Sequence, residues 1–162
     1  MEKKELELYI HIPFCVRKCN YCDFLSFPAD EDTQRQYVKA LCKEIFYYGA
    51  HCRDYVVSTV YIGGGTPSWL WESDMAEIMD AVHKNFALLP DAEVSVECNP
   101  GTVTAQKFAV YRQSGINRIS LGLQSAQNVE LKMLGRIHTW EQFLKTYELA
   151  RSGGFSNINV DL

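Results

Sequence analysis

Three segments of this chain alternate apolar with polar side chains: Val94, Val96 and Cys98 against Glu93, Ser95 and Glu97; Ile119, Leu121 and Leu123 against Ser120, Gly122 and Gln124; Ile158, Val160 and Leu162 against Asn157, Asn159 and Asp161. A period of two marks strands with one apolar face and one polar face. Near the start, Leu6, Leu8, Ile10 and Ile12 alternate in the same way with Tyr9, His11 and Pro13, and Val56 to Ile62 forms a further strand. Helical patterns separate them. Residues 32–48 repeat Tyr37, Val38, Leu41, Ile45 and Tyr48 behind Asp32 or Thr33 as cap, with Gly49 ending the helix. Met75, Ile78, Met79, Val82 and Phe86 form a second stripe, and a third helix runs from about Thr104 to Ser114, closed by Gly115. Two helical pieces follow the fourth strand, the second opening on a Thr139/Gln142 capping box and stopping at Gly153-Gly154.

Regular strand–helix alternation implies parallel strands joined by right-handed crossovers, hence an α/β fold. A parallel sheet covered by helices on both sides is apolar on both faces, and these strands are not. The pattern therefore predicts a partial (β/α) TIM-type barrel: helices outside, and a lumen holding something polar. A fully packed barrel fills its lumen with Val, Ile and Leu. Here His11, Glu97, Gln124 and Asp161 occupy lumen positions near the C-terminal strand ends, where such folds place their sites. The fifth strand is expected to be cut off by the end of the chain, leaving the first and fifth strands with unpaired edges and the isolated piece prone to self-association.

With 162 residues and a net charge of -4, the chain is long enough for one domain and has no basic excess for binding nucleic acid through phosphates. No stretch approaches the roughly 20 apolar residues of a membrane span, and the start does not read as a signal peptide. A cytoplasmic location is expected. In that reducing compartment the six cysteines suit metal binding better than disulfides. Cys15, Cys19 and Cys22 carry the information, spaced C-x3-C-x2-C directly after the first strand. Such a loop suits a zinc ion, with a fourth ligand from His11, His51 or a remote cysteine. The spacing favours an iron–sulfur cube held by three thiolates with one iron left open, with zinc as the alternative. Gly63-Gly64-Gly65-Thr66-Pro67 follows the second strand but lacks the Gly-Lys-Ser/Thr ending of a phosphate-binding loop.

Taken together, Tyr9-Ile-His-Ile-Pro-Phe-Cys15, the cysteine loop, Gly63 to Pro67, Glu97-Cys-Asn-Pro100, Leu121-Gly-Leu-Gln124 and the terminal Asp161 resemble the radical S-adenosylmethionine (SAM) superfamily. Within it the chain is similar to the oxygen-independent coproporphyrinogen III oxidase family, over nearly its whole length. The resemblance replaces zinc with a [4Fe-4S] cluster on Cys15, Cys19 and Cys22, whose open iron is chelated by SAM. A fourth thiolate would block that position. Residues 1–162 then form the core domain of this kind, incomplete at its C-terminal end.

The resemblance also implies the SAM contacts. Tyr9 lies at the end of the first strand and Tyr21 against the adenine; Gly64, Gly65 and Thr66 meet the methionyl end, where glycines let the backbone approach closely. Glu97 accepts from the ammonium, Arg136 pairs with the carboxylate, and Gln124 and Asp161 hold the ribose. Oxidases of this family usually carry a further cysteine two residues beyond the triplet, whereas Cys22 is followed here by Asp23-Phe24. That ending resembles the haem chaperone branch, which binds haem and hands it to respiratory proteins. The alternative is oxidative decarboxylation of coproporphyrinogen III to protoporphyrinogen IX. The implied partners are haem or a porphyrinogen, contacted beyond Leu162, and a reduced flavodoxin or ferredoxin-type electron donor. His11 is expected to be a hydrogen-bonded core histidine, and Cys42, Cys52 and Cys98 play no part. Tyr47-Tyr48 and Trp69-Leu-Trp71 are expected to pack on the outer layer, with Trp69 close enough to the glycine loop to border the site.

Overall fold

The computed structural model describes residues 4–162. Five strands, β1 (Lys4–Ile12), β2 (Tyr55–Gly64), β3 (Leu88–Cys98), β4 (Arg118–Gly122) and β5 (Asn157–Asp161), pair in sequence order, and every pair is parallel. Helices α1 (Glu31–His51), α2 (Glu72–Asn85), α3 (Ala105–Gln113), α4 (Asn128–Met133) and α5 (Trp140–Ser152) fill the crossovers. The sheet is thus an open α/β arc with β1 and β5 at its edges. Among the described residues no helix is long and apolar enough to cross a membrane.

The period-two pattern sorts the strands as expected. Ile10, Ile12, Val60, Ile62, Val94, Val96, Ile119 and Leu121 are buried in one cluster with Val38 and Ile45 of α1, Met75, Ile78, Met79 and Val82 of α2, Phe108 and Tyr111 of α3, and Phe143 of α5. Each such side chain, once removed from water, contributes about 1.5–3 kcal/mol. This core fixes the register that aligns the polar positions on the other face: Tyr9 beside Tyr61, His11 beside Gly63, Glu97 beside Ser120, and Gly122 beside Asp161.

Two details of α1 differ from the sequence expectation. Its cap is Asp30, whose Oδ1 accepts from Thr33 N at 2.8 Å, and not Asp32 or Thr33. Gly49 lies inside the helix. A Cβ there would meet Asn85 Cβ and O at 2.6 Å each, so the glycine serves the close approach of α1 to α2 instead of ending the helix. Gly49→Val is therefore expected to destabilise the fold by roughly 2 kcal/mol or more through overpacking, read as a lower urea midpoint at unchanged slope. The Tyr47-Tyr48 expectation also fails: α1 buries Gln34, Val38, Ile45 and Gly49, which leaves Tyr47 59% and Tyr48 53% exposed. Trp69 sits in a short 3-10 turn (Pro67–Trp69) and lines an outer cleft with Glu31, Trp71 and Lys107, so it does not border the lumen. By contrast, the Thr139/Gln142 capping box forms with both reciprocal bonds, at 2.9 and 3.3 Å.

Candidate cofactor-binding site

A cavity of about 380 Å³ opens at the C-terminal ends of the strands. The loop after β1 gives it Cys15, Cys19, Tyr21 and Cys22; the turn after β2 gives Gly64, Gly65 and Thr66. Glu97 enters from β3 and Asn99 from just after it, Ser120 from β4 and Gln124 from the turn beyond, Asp161 from β5, and Arg136 from the segment after α4. Every site residue named from the sequence lines this cavity except Tyr9. Tyr9 stacks on Tyr61 at 6.3 Å and donates to His11 Nδ1 at 3.0 Å, one step removed from the cavity wall.

The cysteine loop is held from both sides. Phe27 N donates to Pro13 O at 2.9 Å and Cys15 N to Phe27 O at 3.1 Å, folding the loop back onto its own stem. On the far side Asn20 N donates to Leu134 O at 3.0 Å, Asn20 Nδ2 to Met133 O at 2.9 Å, and Arg17 Nη2 to Gly135 O at 2.8 Å. Gly135 has φ +75°, and a Cβ there would meet Asn20 Oδ1 at 2.9 Å, so only glycine suits this seam. All six cysteines are free. Donors point at two of the triplet sulfurs: Thr66 Oγ1 to Cys15 Sγ at 3.5 Å and Arg136 Nη1 to Cys19 Sγ at 3.7 Å. Cys98 belongs to the apolar core, where burial pushes its thiol up to about 12.

Glu97 is half-buried at the centre. Tyr61 donates to its Oε1 at 2.7 Å and Gly64 N to its Oε2 at 3.1 Å. Burial nonetheless raises its pKa above the ordinary 4.5, outweighing both bonds, and the Asp161 charge adds to the rise. Asp161 accepts from Ser120 Oγ at 3.0 Å and from Asn159 Nδ2 at 2.7 Å. Gln124 carries φ +68°, a left-handed conformation rare outside glycine, while its N donates to Asp161 O at 2.8 Å. Backbone strain of this kind collects at functional sites. His138, buried beside Arg136, is pushed down to about 4, chiefly by burial and then by the guanidinium charge.

The residues present suit a polar cofactor with a metal cluster. Arg136 Nε and Gln124 Oε1 are buried at the cavity without partners, a cost a polar ligand would relieve. Three thiols and no carboxylate form the soft donor set that iron–sulfur clusters use. Among the described residues no three His, Cys, Asp or Glu converge as they would on a single ion; a cube, in which each thiolate binds its own iron, does not need that.

The glycines also answer a need within the protein itself. A Cβ on Gly63 would meet Tyr61 Cε1 at 2.8 Å, on Gly64 His11 at 2.6 Å, and on Gly65 Phe14 O at 2.7 Å. Side chains here would collide with Tyr61, His11 and Phe14, while Gly64 and Gly65 also line the cavity. His11 is the hydrogen-bonded histidine expected: Leu25 O can only accept, so Nε2 donates to it at 3.0 Å and Nδ1 accepts from Tyr9. The sequence reading missed Tyr61, Asn99 and Ser120. Strand parity already sets Ser120 on the polar face, without a role, and could have found Tyr61, which shares that face with Tyr9 and Glu97; Asn99 stood within a motif already noticed.

Residues 9–162 match the Radical SAM superfamily. The chain belongs to this superfamily. The fold is its partial barrel, since the solved coproporphyrinogen III oxidase HemN of Escherichia coli, described as a radical SAM enzyme, superposes with a TM-score of 0.91 at 30% identity, covering 99% of this chain and 37% of that one. The heme chaperone HemW of Escherichia coli (strain K12) is 42% identical over 158 residues, spanning 97% of this chain. HemW of Bacillus subtilis (strain 168) is 36% identical over 157 residues, spanning 95% of it. The chain spans 42% and 41% of the lengths of these two relatives.

Proposed function

We propose that this segment is the core domain of a haem chaperone, binding a [4Fe-4S] cluster through Cys15, Cys19 and Cys22 and SAM through the lumen residues. The observation that carries the reading is the convergence of three free cysteines with Glu97, Gln124, Arg136 and Asp161 on one cavity, in a chain 42% identical to a HemW. When bound, the cluster supplies one electron to the SAM sulfonium, with a reduced flavodoxin or ferredoxin-type protein as its source in the cytoplasm. The chain's own residues do the holding. Glu97 offers a carboxylate to the ammonium, and Arg136, whose Nε is unpartnered, offers a guanidinium to the SAM carboxylate. Gln124 and Asp161 face the ribose, Tyr21 faces the adenine, and Gly64, Gly65 and Thr66 flank the methionyl end. Tyr9 acts from behind, fixing Tyr61 and thereby Glu97.

The second reading, coproporphyrinogen III oxidation, is favoured by the superposition on HemN. Higher identity to the chaperones, and Phe24 where the oxidases usually carry a further cysteine, favour the first. The deciding experiment takes the full-length protein, reconstituted anaerobically, and titrates haem and SAM separately before supplying coproporphyrinogen III with a reductant. Stoichiometric haem binding without protoporphyrinogen IX is expected. Conversion of the porphyrinogen would establish the oxidase instead.

A further inference from the structure

Asn99 has every polar group committed. Its N–H donates to Ser68 Oγ at 3.1 Å, and its carbonyl accepts from Thr102 Oγ1 at 2.8 Å. Behind this turn the buried Lys107 ammonium donates to Ser68 O at 2.8 Å and Thr102 O at 3.1 Å, closing the support on the outer side of the sheet. The Asn99 side chain therefore projects into the cavity from a fixed backbone.

The direction of its amide follows from its partners. Arg136 Nη2 lies 2.7 Å from Oδ1, and a guanidinium can only donate, so Oδ1 faces Arg136. Nδ2 then faces Thr66 Oγ1 at 2.9 Å and must donate to it. With that lone pair used, the single Thr66 hydroxyl proton is left for Cys15 Sγ at 3.5 Å. The result is a chain of donors running in one direction, from guanidinium to amide to hydroxyl to sulfur. The same Arg136 reaches Cys19 Sγ with Nη1 at 3.7 Å.

We propose that Asn99 is a positioning residue that sets the reduction potential of the cluster by ordering the Arg136–Asn99–Thr66–Cys15 chain. The proposal rests on the reading of Cys15 as a cluster ligand. Hydrogen bonds to ligand sulfurs stabilise the more negative, reduced form and so raise the potential. Losing the Thr66 donor must lower it.

The test is an anaerobic redox titration of the full-length, SAM-free protein followed by electron paramagnetic resonance, with iron and sulfide counted in each variant. Thr66→Val deletes the hydroxyl and is expected to move the potential to more negative values with iron retained. Asn99→Asp keeps shape and the Arg136 anchor but replaces the donor with an acceptor, so the Thr66 proton turns away from Cys15. At about pH 8, where the introduced carboxyl is ionised, it too is expected to lower the potential. Its charge alone would do part of this, so the decisive quantity is the coupling. The shift caused by Asn99→Asp must be larger in the native background than in Thr66→Val, where there is no hydroxyl to redirect. Equal shifts in the two backgrounds, or an unmoved potential in Thr66→Val, would overturn the role of Asn99. Should the unsubstituted protein take up no iron, the cluster reading falls and this proposal with it; a loaded cluster with no coupling removes this proposal alone.

Discussion

Replacing any one of Cys15, Cys19 or Cys22 by Ser is expected to abolish the brown chromophore and the uptake of about four iron and four sulfide per chain. A serine hydroxyl remains protonated at neutral pH and is a poor ligand for a soft iron–sulfur centre, so two thiolates are left to hold a cube that needs three. The loop itself is expected to keep its shape, because it is pinned by main-chain and Asn20 and Arg17 contacts that do not involve the sulfurs. Cys98→Ala and Cys42→Ser act as the opposite arm. Cys98 ends β3 with its side chain in the core, and Cys42 packs between α1 and α2, with its Sγ 3.9 Å from Glu77 O. These changes should cost roughly 1 kcal/mol in packing while iron content stays unchanged. Iron loss in either, or stoichiometric zinc in place of iron, would refute the sorting of the cysteines.

That sorting illustrates what the sequence made legible. Parity along β3, β4 and β5 placed Glu97 and Asp161 on the lumen face while sending Cys98 into the core, because an alternating strand offers only two faces and the apolar one must meet the helices. The same rule applied to β2 would have found Tyr61, but its neighbours Val60 and Ile62 made the segment read simply as an apolar strand. Gly49 and the glycine turn were harder. Gly49 reads as a helix stop because local sequence cannot show that Asn85, thirty-six residues later, occupies the space of its missing Cβ. Gly63, Gly64 and Gly65 read as room for a ligand, and local sequence could not show that Tyr61, His11 and Phe14 exclude a side chain there as well. Asn99 was unreadable as a hub for the same reason: Thr66 and Ser68 come from the turn after β2 and Arg136 from the segment after α4, and only their assembly gives the amide a direction.

The SAM half of the site is tested at Glu97. Its raised pKa means that, without a cation, the half-buried carboxylate opposes folding above that pKa, a cost relieved as the pH falls and the group protonates. A bound ammonium would relieve the same cost at neutral pH, which gives SAM a hydrogen-bonded ion pair worth roughly 1.5–3 kcal/mol. Glu97→Gln should therefore weaken SAM binding by about one to two orders of magnitude while leaving iron content unchanged and raising apo-protein stability at neutral pH. Tyr61 tolerates the change, since its hydroxyl can accept from an amide as readily as it donates to a carboxylate. In the native protein SAM affinity should fall as the pH drops through the Glu97 pKa, and this dependence should vanish in Glu97→Gln. Asp161→Asn should weaken SAM in the same direction through the ribose, because the amide oxygen stays with Asn159 Nδ2, the other acceptor becomes a donor toward Ser120 Oγ, and the charge is lost. Neither change should alter haem affinity measured without SAM if the two ligands occupy separate surfaces. Parallel titrations of SAM and haem against both variants decide the matter: unchanged SAM affinity in both would make the lumen carboxylates structural, and a joint loss of haem affinity would place haem in the same cavity.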